Sequence, residues 1–171
     1  ELLRRIAQHE EPARVWLGRG DVMNAGSPFA ILAQAILAML DLSGGEAEEV
    51  SRGRLLARVA ERVPAEEQGR VAAFLGSMIG LPLRADAGPE VCAAKEDALL
   101  LGDQHRRAFE DFVRAECSAG PVVLVLEDLH LGDLPTVKLV DATLRALADR
   151  PFFVLATARP EVDDLFPNLW E

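Results

Sequence analysis

The segment from residue 120 to residue 130 constrains the fold of this chain most strongly. An almost unbroken apolar run, residues 121–126 with the sequence Pro-Val-Val-Leu-Val-Leu, follows a Gly-Pro break. A short valine-rich run that is apolar on both faces and bounded by turn signals predicts a buried strand of a parallel sheet. The chain is therefore expected to build an α/β fold around this strand.

Two carboxylates, Glu127 and Asp128, follow the apolar run directly. In open α/β sheets, ligands bind outside the carboxyl ends of the strands, which is where these acids would lie. Adjacent carboxylates suit a hydrated Mg²⁺ because hard cations take oxygen ligands and usually keep several waters. The pair thus predicts a metal or phosphate site, and the alternative is a buried strand that ends in a solvated turn.

A second strand and a helix complete the pattern. Residues 152–157 form another short apolar run, and Asp133 with Pro135 can start a helix between the two strands. Strand, helix and strand over about 35 residues form a βαβ unit, whose strands are parallel and whose crossover is right-handed. The carboxyl ends of both strands should therefore meet at one edge of the sheet.

Five chemically capable residues would share that edge. Glu127, Asp128 and His130 follow the first strand, while Thr157 and Arg159 lie at the end of the second. Carboxylates for a metal and an arginine for phosphate oxygens are the division of labour that phosphoryl chemistry uses. The arrangement therefore predicts a site that binds a metal ion and phosphate groups.

Composition excludes several classes of function. The 171 residues suffice for one domain with a sizeable core, and the formal net charge is −10 with Lys95 and Lys138 as the only lysines. An acidic chain without a basic stripe argues against nucleic acid or an anionic membrane as the main partner.

Cys92 and Cys117 form neither a disulfide framework nor a CxxC metal pair. No stretch is long and apolar enough to span a bilayer, so we expect a cytoplasmic protein.

The rest of the chain is predicted to be mostly helical. Ser27 is expected to cap a helix that runs from Phe29 to about residue 40, and His105 is expected at the surface of a helix. The remaining predicted elements are a helix over 1–10, a strand over 14–18, helices over 46–63, from Pro64 to Gly80 and over 98–117, and a loop over 84–91.

At this point the residues resemble a known family. Residues 122–133, an apolar strand followed by Glu-Asp-Leu-His and then Gly-Asp, look like the Walker B segment of STAND-type, AAA-like P-loop ATPases. These signalling ATPases occur in bacterial transcription regulators, in cyclases and joined to serine/threonine kinase domains. Leu131 stands where the family often has tryptophan. Residues 153–159 are similar to the sensor-1 strand and residues 18–29 to the strand, loop and helix that follow the P-loop helix.

The resemblance implies an architecture. The fold would be a partial, three-layer parallel sheet of the P-loop NTPase type with a helical insertion. Residues 1–42 would supply the helix, strand and helix after the P-loop, residues 43–118 the insertion, and residues 119–171 the Walker B and sensor-1 βαβ unit. The function implied is an ATP-binding or ATP-hydrolysing switch of a multidomain bacterial regulator, whose partners are its other domains.

The resemblance also implies roles for the site residues. One of Glu127 and Asp128 would hold Mg²⁺ through water and the other would orient the attacking water, in an order that the sequence leaves open. His130 would sense the phosphate end or brace the loop. Arg159, with Thr157 nearby, would contact the γ-phosphate of ATP.

Arg159 has an alternative role as a salt-bridge partner of Glu127, Asp128 or Glu161. A metal-dependent phosphoesterase that uses the two acids, His130 and Asp133 is a weaker alternative for the whole site, because metal ligands must converge from several elements.

The chain departs from the family in one respect that matters. No G-x-x-x-x-G-K-[ST] motif is present, although this loop cradles the phosphates in P-loop proteins. We expect the sequence to begin inside the P-loop helix, which residues 1–8 resemble, and to bind MgATP weakly or not at all by itself. Residues 152–157 would then form an open apolar edge that promotes self-association. The alternative is a non-catalytic interaction module, with vestigial acids and the helices of 28–118 as its binding surface.

Overall fold

The computed structural model describes residues 13–84, 88–167 and 169, and the helix predicted over 1–10 lies outside these ranges. In the described chain, five helices lie between the first and second strands and one helix lies between the second and third, with short 3₁₀ turns at Val22–Asn24 and Leu129–Leu131. In chain order the elements are β1 (Arg14–Arg19), α1 (Ala30–Met39), α2 (Glu48–Ala60), α3 (Ala65–Met78), α4 (Pro89–Glu96), α5 (Ala98–Cys117), β2 (Val122–Glu127), α6 (Leu134–Ala146), β3 (Phe152–Ala156) and α7 (Val162–Leu165).

The three strands of the described residues form one parallel sheet in the order β1–β2–β3. Arg19 lies opposite Glu127, and Leu126 lies opposite Ala156, so the carboxyl ends of all three strands meet at one edge. The central strand β2 is buried from Val122 to Leu126. The predicted α/β class and the buried parallel strand are confirmed, while the P-loop NTPase type stays a prediction.

The core lies on the face of the sheet that carries Trp16. The Trp16 ring stacks on Phe112 of α5, with 5.8 Å between ring centroids. Buried residues of α1, α5 and α6 join the same cluster, and α2 and α3 extend it. The sheet therefore shares its hydrophobic core with α2, α3 and α5 of the region that the sequence predicts as an insertion, whereas α4 packs in a second cluster with Phe74 and Ala108.

A close approach of two backbones anchors α1 to β1. A Cβ atom added to Gly18 would lie 2.0 Å from the backbone oxygen of Ile31 in α1. Only glycine fits such an approach, and its missing side chain allows α1 to pack directly on the strand.

Two predictions about where helices begin are wrong. Ser27 does not cap α1: the helix begins at Ala30 after Phe29, which has φ 60° and supplies no side-chain cap. The backbone of Ser27 instead closes turns with Asn24 and Ala30. The second error is the loop over 84–91, because α4 begins at Pro89 in the middle of it.

His105 is buried rather than exposed. Its ring packs edge-on against Phe29 and Phe74, at centroid distances of 5.3 and 6.0 Å, and its Nε2 lies 2.6 Å from Ser77 Oγ. Burial lowers the pKa of His105 from its ordinary value of 6.5. The charged imidazolium is disfavoured there because burial removes it from water.

We expect His105 to make stability depend on pH. The neutral ring is favoured in the folded state, so its contribution is fully present above about pH 6.5 and is lost as the pH falls towards the lowered pKa. The free energy of unfolding should then fall by up to about 1.4 kcal/mol per pH unit in that interval. Urea denaturation of the wild type and His105→Gln between pH 5 and 8 measures the difference, and parallel curves would contradict the expectation.

The strand β3 presents an open edge among the described strands, since β2 is its single partner there. Its Phe153 side chain is 62% exposed, and no charged residue or proline interrupts the strand. An apolar edge without such protection can pair with another chain.

Self-association through β3 is therefore expected for this chain. Phe153→Glu should lower the apparent mass at high concentration, because a charge disfavours edge pairing. Leu99→Glu is a matched control, since Leu99 is 86% exposed on α5, away from the sheet. Light scattering from the three proteins checks the prediction, and a strictly monomeric wild type would contradict it.

Candidate functional site

The loops after β2 and β3 are joined at the carboxyl edge of the sheet. The Thr157 N–H donates to the Leu126 carbonyl, and the Leu129 N–H donates to the Thr157 carbonyl, both at 2.9 Å. These bonds extend the parallel pairing past the last strand residues. The turn that carries the acids and the loop that carries Arg159 are consequently held side by side, as the sequence predicts.

Asp128 adopts a left-handed backbone conformation with φ 55°. Few residues other than glycine do so, although aspartate tolerates it better than most, and such positions cluster at functional sites. The loop after β1 contacts this turn, because the Gly20 N–H donates a hydrogen bond to the Glu127 carbonyl at 2.7 Å. A Cβ atom on Gly20 would lie 2.4 Å from the backbone oxygen of Asp128, so the contact requires glycine.

Glu127 forms an ion pair with Arg19, the last residue of β1. Arg19 Nε and Nη2 lie 2.8 and 2.5 Å from Glu127 Oε2, and this hydrogen bond raises the pKa of Arg19. Arg19 is a residue of this edge that the motifs in the sequence do not predict. The signal for it is the strand register, because parallel pairing in phase sets the last residues of β1 and β2 side by side.

Asp128 and Arg159 are exposed and form no ion pair with any described residue. The salt bridge from Arg159 to Glu127, Asp128 or Glu161 does not form within the described part of the chain. The Arg159 backbone N–H instead approaches His130 Nδ1 at 3.4 Å. This long hydrogen bond connects the two loops, and bracing of the loop is one of the two roles that the resemblance implies for His130.

The two acids are compatible with a hydrated magnesium ion but form no dehydrated cage. Within residues 13–84, 88–167 and 169, no group of three or more histidine, cysteine, aspartate or glutamate side chains converges to hold a metal. Asp128 is exposed, and the contacts between Arg19 and Glu127 fall on Oε2 alone. Each acid can thus offer an oxygen to an ion that keeps most of its water.

Asp133 caps the N-terminus of α6 with its side chain. Its Oδ1 accepts from the Thr136 N–H and its Oδ2 accepts from the Thr136 hydroxyl, both at 2.8 Å. The predicted cap is confirmed, as is Pro135 in the first turn. A carboxylate with both oxygens used in this way is a poor metal ligand, which argues against the phosphoesterase alternative.

No helix in the described part of the chain is long and apolar enough to cross a membrane. Comparison of the chain with models of known protein families, with curated protein sequences and with solved structures gives no match. The resemblance to STAND-type ATPases therefore depends on the motifs quoted from the sequence.

Proposed function

We propose that this chain is the Walker B and sensor-1 part of a P-loop-type ATPase domain that serves as a signalling switch. One observation carries the proposal. The acid turn after β2 lies beside the loop after β3, and the two are joined by hydrogen bonds at the carboxyl edge of a parallel sheet. Ligands of open α/β sheets bind at this edge.

The residues divide the work in the following way. Asp128, whose carboxylate is exposed and forms no described ion pair, would bind the water shell of Mg²⁺, while Glu127 would orient the attacking water. Bound Mg²⁺ supplies neutralisation of the charge on the phosphates. Arg159 extends from the adjacent loop with its guanidinium unpaired among the described residues, as a ligand of phosphate oxygens requires. Thr157 would line the same edge.

A second candidate, a non-catalytic interaction module, is favoured by two other observations. The ion pair with Arg19 already compensates the charge of Glu127. The loop after β1 exposes Val22 and Met23, the latter to 92%. Adjacent exposed apolar side chains are typical of a contact with another protein.

Calorimetric titration with MgATP distinguishes the two. The titration uses the full-length protein, with any residues that precede Glu1, and we expect Mg²⁺-dependent binding that Asp128→Ala weakens by about tenfold or more. Asp141→Ala, which removes a surface carboxylate of α6, is the matched control and should bind as the wild type does.

The 171-residue chain by itself should bind MgATP weakly or not at all, since it has no phosphate-binding loop. A micromolar dissociation constant for this chain would contradict that expectation. Failure of the full-length protein to bind MgATP would discard the ATPase proposal in favour of the interaction module.

A further inference from the structure

We propose that a cleft between α2, α3 and α5 binds a small oxyanion that carries phosphate or carboxylate groups. The cleft has a volume of about 450 Å³. Its walls carry three cationic side chains, two anionic side chains and several apolar ones: Arg62, Arg70 and Arg114, Glu67 and Asp111, and Val63, Pro64 and Ala115. This volume lies in the range of small-molecule sites, which combine apolar walls with a few polar groups that fix orientation.

The arginines of the cleft are unequally neutralised. Arg70 is held by two carboxylates, with its Nη2 at 2.6 Å from Glu67 and 2.5 Å from Asp111. Arg114 forms no ion pair with any described residue, and the nearest described carboxylate of Arg62 is 3.8 Å away, beyond hydrogen-bond reach. With three guanidinium groups and two carboxylates among its lining residues, the cleft carries an excess of one positive charge, although the chain as a whole carries a net charge of −10.

The carboxylate near Arg62 belongs to Glu116 and is already in use. Glu116 is fully buried, and Arg14 and Arg58 approach it to 3.0 and 2.8 Å. Arg62 is therefore the third cation around one carboxylate. Like charges gathered in a partly buried place repel each other, and an anion beside Arg62 would relieve that repulsion.

The chemistry of arginine defines the class of ligand. A guanidinium is planar and offers paired N–H donors that match the oxygens of a phosphate or a carboxylate. Arg62 follows α2 and Arg114 lies on α5, so an oxyanion between them would bridge two elements of the helical region. The apolar residues of the cleft would contact the carbon skeleton of such a ligand.

This site is separate from the sheet edge discussed above. Ser118, another residue of the cleft, lies just before β2 begins, whereas Glu127 ends that strand. Six strand residues span about 20 Å. The anion site therefore stands or falls independently of the proposed ATPase function.

Titration of the protein with sodium phosphate and, separately, with sodium citrate tests the proposal, at an ionic strength held constant with sodium chloride. We expect saturable binding of at least one probe by NMR chemical shift. Arg62→Gln combined with Arg114→Gln should weaken it about tenfold or more. The matched control is Arg107→Gln, which removes an exposed guanidinium of α5 outside the cleft and should leave the affinity unchanged.

The two probes separate a phosphate site from a carboxylate site. Arg114→Gln alone sacrifices no ion pair with a described residue, so it should fold even if the double variant does not, and should weaken binding about threefold or more. The proposal would be overturned if neither probe binds saturably, or if Arg114→Gln leaves the affinity unchanged.

Discussion

Glu116→Gln is expected to lower the free energy of unfolding by about 3 kcal/mol. The substitution removes a buried carboxylate whose ion pairs link the helical region to the sheet. Arg58 Nη2 donates to Glu116 Oε2 at 2.9 Å, and Arg14 Nη1 lies 3.0 Å from the same oxygen. These arginines come from α2 and β1, whereas Glu116 lies near the end of α5. Loss of the charge leaves guanidinium groups in low-dielectric surroundings without their counterion.

The expected loss is at the lower end of the range for a broken buried ion pair, since the arginine side chains keep about a quarter of their surface exposed. Urea denaturation measures it. Glu61→Gln is the matched control, because Glu61 also pairs with Arg58 but is itself exposed, and its loss should cost about 0.5 kcal/mol or less. Equal effects of the two substitutions would show that burial of Glu116 is not what gives the ion pair its importance.

Gly18→Ala is expected to destabilise the fold by about 3 kcal/mol. The new methyl group would lie 2.0 Å from the backbone oxygen of Ile31, a contact that a rotamer change cannot relieve. Either α1 or β1 must move, and both belong to the main core through neighbours such as Trp16 and Leu32. Since close-packed interiors respond to such changes by shifting whole elements, the cost should be large for a single methyl group.

Gly102→Ala is the control of opposite sign. Gly102 lies inside α5, and an added Cβ atom would meet nothing within 4 Å. Alanine favours a helix interior over glycine by about 1 kcal/mol, so this variant should be more stable than the wild type. Thermal and urea denaturation of both variants checks the pair, and a Gly18→Ala protein as stable as the wild type would contradict the described packing of α1 on β1.

The elements that depend on local residue patterns were predicted correctly from the sequence. The strand β2, its parallel partner β3 and the helix between them follow from apolar runs and turn signals, and α6 begins where Asp133 and Pro135 predict it. The bounds of α5 match the predicted 98–117 because Asp97 caps it and its apolar positions repeat with the helical period.

Other features depend on contacts between distant segments, which periodicity does not encode. His105 is buried because Phe29 and Phe74, from two other parts of the chain, enclose its ring. The ion pair between Arg19 and Glu127 requires the register of two strands separated by five helices. The cluster around Glu116 likewise joins residues that are far apart in sequence.

For the candidate site, the sequence correctly placed its residues at one edge of the sheet but not the contacts of their side chains. The edge follows from strand direction alone. The engagement of Glu127 by Arg19 and the unpaired state of Arg159 among the described residues arise from the loops, whose conformation depends on such details as the left-handed backbone of Asp128.

The most direct test of the proposed nucleotide site is a map of paramagnetic relaxation by Mn²⁺-ATP in the full-length protein, with any residues that precede Glu1. Mn²⁺ replaces Mg²⁺ in oxygen-rich sites and broadens the NMR signals of nearby amides. We predict selective broadening at residues 127–130 and 157–159 that Asp128→Ala reduces at the same concentration of Mn²⁺-ATP. Broadening spread over unrelated surface acids, or centred away from this edge, would contradict the proposal that the acids after β2 belong to a nucleotide site.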